Sequence, residues 1–295
     1  MPEMPEVEIL ARHLRPLLRG KTVRNVSVRR ERATRPTPPT EFERALAGAK
    51  FKELNRRGKY LLFHFKPGTN SPASRQPSKS GAATFTVLGH LGMSGRMFVA
   101  LKKEPLAKHA AVVFDLGDRN FIYEDRRYFG RMSLDLSPLD ELGPEPSDFS
   151  PETFAAALKG SRQPIKIKLL DQGLIAGVGN IYASEALYRA RISPKLAANK
   201  VTLAQAKILL RAICDVLDDA IKFGSTVPLK TVSGKSGALF YFDDDGEGYY
   251  EKRLRVYDRA GKPCLNKCGG KIERITQAAR STYFCPHCQR TRQTV

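Results

Sequence analysis

Apolar residues fall into two rhythms along this chain. Near the amino terminus Val7, Leu10, Ala11, Leu14 and Leu18 recur every three or four positions, the spacing of one helix face. Pro5 suits the first helical position, Glu6 and Glu8 suit the positive end of the helix dipole, and Gly20 suits the stop. Over residues 23–136 the rhythm shortens to β-rich runs with turn residues between them: Val26 with Val28, then 60–65, 84–88, 111–114 and 121–123. These predict strands assembled as a two-sheet sandwich or a flattened barrel. A proline- and acid-rich stretch, 137–149, reads as an interdomain linker. Helical signals then return. Ser150 can cap and Pro151 can open a short helix ending at Gly160. Thr202-Leu203-Ala204-Gln205 is a capping box for a long helix from Leu203 to about Lys222, with Leu209, Ile213, Val216 and Ile221 on one face. Cys214, near that stripe, reads as a small buried hydrophobe. Residues 66–83 are Ser/Pro-rich and read as a surface loop, and 230–250, rich in glycine and aspartate, as another. The pattern is that of an α+β protein.

Composition narrows the partners. The 295 residues suggest two domains, and 41% hydrophobic content is enough for real cores. Fifty Lys and Arg against thirty Asp and Glu leave a formal charge of +20. That excess favours polyanions, nucleic acid first and an anionic membrane surface second. No run of about 18 apolar residues is present to span a bilayer. The start lacks a signal-peptide profile, so a reducing cytoplasm is expected, where cysteines pair with metals more often than with each other.

Several short stretches carry chemistry. A Met before Pro2 is normally stripped, which would leave a secondary amine able to condense with an aldehyde-level carbon; the alternative is an ordinary tail. Cys264, Cys268, Cys285 and Cys288 form C-x3-C, sixteen residues, then C-x2-C, the spacing of a closed zinc ribbon with one structural Zn2+ per chain. His287 lies inside the second pair and reads as exposed, not as a ligand. The ribbon is basic (Lys262, Lys267, Lys271, Arg274, Arg280, Arg290, Arg292), which suits nucleic acid or simply a solvated face. Gly177-Val178-Gly179-Asn180 precedes a helical run over 181–191 and can grip a phosphate, or Asn180 can serve as the N-cap. Lys166 and Lys168, in Pro164-Ile165-Lys166-Ile167-Lys168, read as the solvated face of a strand. Arg56-Arg57-Gly58-Lys59 leads into a strand and puts Lys59 at its edge. His90-Leu91-Gly92-Met93-Ser94-Gly95 presents Met93, and Asp125-Arg126-Arg127-Tyr128-Phe129-Gly130 presents an arginine beside two aromatics. Such wedges unstack a base, although core packing also uses Met and Phe. His109 precedes a strand.

In this order the pieces resemble the formamidopyrimidine-DNA glycosylase / endonuclease VIII family of base-excision repair enzymes, with Leu254-Arg255-Val256-Tyr257 as a further match. The opening through Pro5-Glu6-Val7-Glu8 is more similar to the formamidopyrimidine branch. The resemblance implies an N-terminal β-sandwich with its helix (1–136), a linker (137–149), a helix–two-turns–helix domain (150–229), a lesion loop and connection (230–259) and a zinc ribbon (260–295). It implies a monomeric, nucleoid-associated enzyme acting in a cleft on double-stranded DNA that holds damaged bases or abasic sites. Pro2 would attack C1′ and Glu3 would be the acid/base group, with Lys59 completing the catalytic set and gripping a phosphate. Asn180 and Arg280 would hold further phosphates, His109 would touch DNA, Lys166 would lie near the flipped base, and Glu6 would orient water or the amine. Met93, Arg127 and Phe129 would fill the void.

Four departures stand out. Tyr128 replaces a second basic residue, the first cysteine pair has one extra residue, residues 226–251 are long and poorly matched, and 66–83 is an insertion. The rival readings are a non-catalytic damage-binding protein, the same chemistry directed at oxidised pyrimidines, and an N-terminal-proline tautomerase, which would need neither the charge nor the ribbon.

Overall fold

The computed structural model describes residues 2–68, 84–226 and 250–290, with the backbone of two short strands between the last two segments. Among these residues the chain forms two compact units. One holds residues 2, 6–140 and 226–241; the other holds 3–5, 141–225 and 250–290.

Helix α1 (Met4–Leu18), which belongs to the first unit from Glu6 onward, begins one residue before Pro5 and buries Val7, Leu10, Ala11, Leu14 and Leu18 almost completely. Each such side chain contributes about 1.5–3 kcal/mol when removed from water. Strand β1 (Asn25–Val28), helix α2 (Pro39–Leu46) and strands β2 (Lys50–Arg57), β3 (Tyr60–Lys66), β4 (Phe85–His90), β5 (Gly95–Leu101), β6 (Ala110–Asp115), β7 (Arg119–Asp125) and β8 (Arg131–Ser133) follow. They form two antiparallel sheets, in the orders β2-β3-β4-β8 and β1-β6-β7-β5. Rings from one interlock with rings from the other: Phe63 lies 5.6 Å from Phe121, and Phe51 6.3 Å from Phe114. No ladder joins the two sheets among the described residues, so the architecture is a sandwich and not a barrel. A short hairpin, β9 (Leu229–Thr231) with β10 (Leu239–Tyr241), interrupts the segment read from sequence as a plain loop. The rest of 230–249, and residues 69–83 of the insertion, lie outside the described residues.

The second unit is helical. Helix α3 (Pro151–Lys159) opens on the Ser150 capping box, and α6 (Leu203–Lys222) on that of Thr202 and Gln205, as their sequences dictate. Between them lie α4 (Ile165–Lys168) and α5 (Asn180–Arg189). Phe154, Leu158, Ile165, Tyr182, Leu187, Leu209 and Ile213 make the core. Beyond α6 the chain leaves at Ser225 and re-enters at Tyr250, whose N–H donates to the Ser225 carbonyl at 3.0 Å. The unit ends in the ribbon hairpin β11 (Glu273–Gln277) and β12 (Arg280–Phe284).

Candidate functional site

In the second unit the site is built on the start of α5. Glu3 is 2% exposed. Its carboxylate accepts the Ile181 N–H at 2.8 Å and the Tyr182 N–H at 3.4 Å, filling the positive end of the helix. A methyl group on Gly179 would lie 2.3 Å from the Glu3 carboxyl carbon, so only glycine leaves room for the cap. Gly179, not Asn180, is the N-cap residue, and Asn180 opens the helix. Asn180 thereby turns its side chain outward: Nδ2 donates to the Ser281 carbonyl at 3.0 Å and to the Tyr257 hydroxyl at 3.4 Å, and Oδ1 accepts from Lys166 Nζ.

Lys166 departs from the sequence reading. The alternation Ile-Lys-Ile-Lys is a single helical turn, not a strand, and Lys166 is fully buried. Its ammonium is satisfied by Asn180 and by the Ser281 carbonyl at 3.4 Å. Burial lowers its pKa to about 8; the nearby Glu3 charge opposes that shift and the Arg280 charge adds to it. Arg280 opens β12 and is exposed. Glu3, Lys166, Asn180 and Arg280, distant in sequence, are thus one cluster of two cations, a carboxylate and an amide.

In the first unit Pro2 is buried, and Glu6 is 1% exposed, accepting the Thr226 N–H at 3.3 Å and its hydroxyl at 2.9 Å. Lys59 sits in the β2–β3 turn. Arg56 Nε donates to Glu8 of α1 at 2.8 Å and Arg56 also donates to the Gly58 carbonyl at 3.1 Å, which fixes that turn on the helix. Burial pushes the Glu8 carboxyl up, but hydrogen bonds and charge from Arg56 and Arg12 outweigh it and hold the group below its usual range.

The two wedge loops are a single construction. Asp125, 1% exposed, accepts from Ser94 Oγ at 2.7 Å, the Gly130 N–H at 2.8 Å, the Arg127 N–H at 3.0 Å and the Tyr123 hydroxyl at 3.2 Å. Its own N–H donates to the His109 carbonyl at 3.2 Å. A methyl on Gly92 would lie 2.4 Å from the Gly130 nitrogen, so the loops meet backbone to backbone. His90 supports them, its Nδ1 accepting the Gly92 N–H at 3.1 Å. Burial, with the Lys59 and Arg131 charges, lowers the His90 pKa to about 4, and Asp125 only partly opposes this. Above this base Met93 and Phe129 are 40% and 47% exposed, and the Arg127 guanidinium lies 4.9 Å from the Phe129 ring centre. At these exposures neither side chain is part of the core. Tyr128 takes a left-handed backbone, φ 54°, between the two.

The sulfurs of Cys264, Cys268, Cys285 and Cys288 lie within 4.8 Å of one another, and His287 is exposed beside them. Four soft donors in this arrangement fit a tetrahedral metal.

Two buried carboxylates that organise the site were given no role in the sequence reading. One is Asp125. The other is Glu185, buried in α5, which accepts the backbone N–H groups of Arg255, Val256 and Tyr257 at 2.9, 2.9 and 2.8 Å. Burial raises its pKa against those three bonds. The motif Leu254-Arg255-Val256-Tyr257 is therefore the partner of Glu185, and it delivers Tyr257 to Asn180.

Comparison with known proteins defines the class. Residues 1–132 match the formamidopyrimidine-DNA glycosylase N-terminal domain, 142–231 the helix–two-turns–helix domain of the same enzymes, and 261–291 a zinc finger found in them and in isoleucyl-tRNA synthetases. Fold and matches together are those of a DNA-repair glycosylase. The formamidopyrimidine-DNA glycosylase of Chloroflexus aurantiacus is 40% identical, with 99% of each chain covered. That of Bacillus licheniformis is 38% identical, covering 98% of this chain and all of its own. A crystal structure of the Lactococcus lactis enzyme with DNA containing Fapy-dG superposes with a TM-score of 0.82 at 31% identity, covering 98% of this chain and 100% of that one. The chain belongs to the formamidopyrimidine-DNA glycosylase family. Among the described residues, no helix is long and apolar enough to cross a membrane.

Proposed function

We propose that this enzyme excises oxidised purines, 8-oxoguanine and formamidopyrimidines, from double-stranded DNA and then cleaves the abasic strand through an imine at Pro2. Once Met1 is removed, the Pro2 nitrogen attacks C1′, the bond from C1′ to the base breaks with its electron pair leaving on the base nitrogen, which takes a proton from water, and the amine proton passes to Glu3. Return of that proton to the ring oxygen opens the sugar and leaves an iminium. Loss of a C2′ proton then expels the 3′ phosphate, and a second elimination expels the 5′ phosphate.

The observation that carries this reading is the Glu3 carboxylate, held at the start of α5 in a buried cluster with Lys166 and Asn180 and next in sequence to Pro2. The Ile181 and Tyr182 N–H groups hold the carboxylate in one orientation at the helix start. Lys59, Asn180 and Arg280 grip phosphates, His109 touches DNA, Lys166 lies near the flipped base and Glu6 orients water or the amine. Met93, Arg127 and Phe129 enter the gap, offsetting part of the few kcal/mol that flipping costs. The four cysteines hold one zinc ion, which supplies structure and no chemistry. The enzyme acts as a monomer in the cytoplasm, on chromosomal DNA.

Borohydride should trap the chain covalently on a duplex with an abasic site. Pro2→Glu, which retains Met1, should give no adduct, and Glu3→Gln should lose base excision while still nicking preformed abasic sites. A wild-type chain that is never trapped, or that mass spectrometry finds with Met1 intact, is a damage-binding protein and not a lyase. Preference for oxidised pyrimidines in a panel of lesion duplexes would overturn the substrate assignment alone.

A further inference from the structure

A second basic site lies at the far end of the first unit. A cavity of about 560 Å³ is lined by Arg15, Arg19, Lys50, Lys52 and Lys66 against a single acid, Glu53. Lys50 and Lys66 face each other directly across β2 and β3. Like charges in opposed positions are destabilising, so the fold keeps this pair against its own stability. The β-bulge between Phe51 and Glu53 adds to it by leaving both Lys52 and Glu53 exposed beside Lys50. Arg15 has a local task, donating to the Leu54 carbonyl at 2.9 Å near the end of α1. Arg19, Lys50, Lys52 and Lys66 make no ion pair among the described residues.

The cavity is remote from the chemistry by two independent measures. It sits at the open end of the β2–β3 hairpin, with Lys59 in the turn at the other end, about 23 Å away at the rise of a strand. It also sits at the carboxyl end of α1, whose fifteen residues put it about 22 Å from the end bearing Pro2. The outer face of the hairpin between the two ends carries Glu53, Asn55, Leu62 and His64, none of them a lysine or arginine.

We propose that this cavity is a second phosphate-binding site, which holds the backbone of a separate DNA duplex while the first is engaged at the lesion site. It rests on the DNA-binding part of the reading above and not on the Pro2 chemistry. One chain could then bridge two DNA segments and pass between them without full release.

The test immobilises the protein on a tethered duplex carrying a stable abasic analogue and measures capture of a labelled, undamaged second duplex. Wild type should capture it, with a steep loss as salt rises. K50Q/K52Q/K66Q should capture at least tenfold less, with the salt slope reduced by about 0.9 for each lost phosphate contact. Its affinity for the tethered duplex should stay within twofold. Its Tm should not fall, since the opposed lysines are gone; a lower Tm together with lost capture would make the lysines structural and overturn the site. Absence of capture by wild type, or equal capture by the variant, would also overturn it. So would competition by millimolar inorganic phosphate as effective as that by duplex, which would mark a small-anion site only. Capture without borohydride trapping would leave this site standing and remove only the lyase mechanism.

Discussion

Replacing Gly179 by alanine should damage catalysis far more than so small a change suggests. The backbone there, φ −134° and ψ −159°, is extended and open to any residue, so the effect is one of space alone. The new methyl would lie 2.3 Å from the Glu3 carboxyl carbon and 2.6 Å from each of its oxygens. To reach ordinary contact distance the carboxylate must retreat by about 1 Å. It then loses the 2.8 Å bond from Ile181. A lost helix cap costs about 0.5–2 kcal/mol, which lowers the Tm by about 1–8 °C in a protein of this size. A 1 Å displacement of a reacting group costs about 10²-fold in rate. Single-turnover excision from a lesion duplex, measured beside thermal melting, reads both quantities. In a Glu3→Ala background, which has no excision left to lose, the same change should leave the Tm unmoved, because the clashing group is absent. Excision within threefold of wild type at unchanged Tm would refute the argument. So would an equal Tm penalty in both backgrounds.

Other outcomes follow from the same geometry. Asp125→Asn replaces an acceptor of four hydrogen bonds with a group that cannot accept them all; denaturant melts should show a loss of about 1–3 kcal/mol. A fluorescent base opposite the lesion should report weaker wedge insertion in that variant, and no change in either readout would remove Asp125 from the design. Because the folded pKa of His90 is about 4, below the ordinary 6.5, the unfolded chain binds that proton more readily within this window. His90 therefore contributes stability above pH 6.5 that is lost as pH falls toward 4, and His90→Asn should flatten the Tm profile there; an identical slope would contradict the assignment. Chelation should unfold the ribbon, displace Arg280, release the Ser281 carbonyl from Lys166 and Asn180, and weaken DNA binding at least tenfold, with recovery on added zinc. Metal-free protein, verified by elemental analysis, that binds DNA as before would exclude a structural metal.

Local signals made the two long helices legible. In α1 and α6 the apolar period, the caps and the stops agree, so the boundaries fall within a residue of those read from sequence. Strand β2 was hidden because Lys-Phe-Lys-Glu-Leu-Asn-Arg-Arg offers only two apolar positions and a bulge breaks their alternation. Strand β5 was absorbed into the glycine loop before it, and α2 into the prolines at 38 and 39. For α4 the alternation was present but misleading, since four residues can satisfy period two and still form a helical turn. Its Lys166 is buried because Asn180 and Ser281, fourteen and 115 residues away, satisfy it. The same distance in sequence hid Asp125 and Glu185. Asp125 appeared only as one letter in a motif and Glu185 only as one position in a helical run, and what each does is hold backbone N–H groups that no spacing reveals.

The hydrogen bond from Tyr250 to Ser225 gives the excursion between them a closed base. Both ends are stitched at one point, and Glu185 clamps the chain just downstream. Loop closure grows only slowly with length, about 0.6 kcal/mol for each doubling. The insert can therefore be exchanged like a cassette: longer, shorter or foreign sequences grafted between 226 and 249 leave α6 and the ribbon in register. Evolution, or an engineer, can change what is inserted there without rebuilding the helical unit.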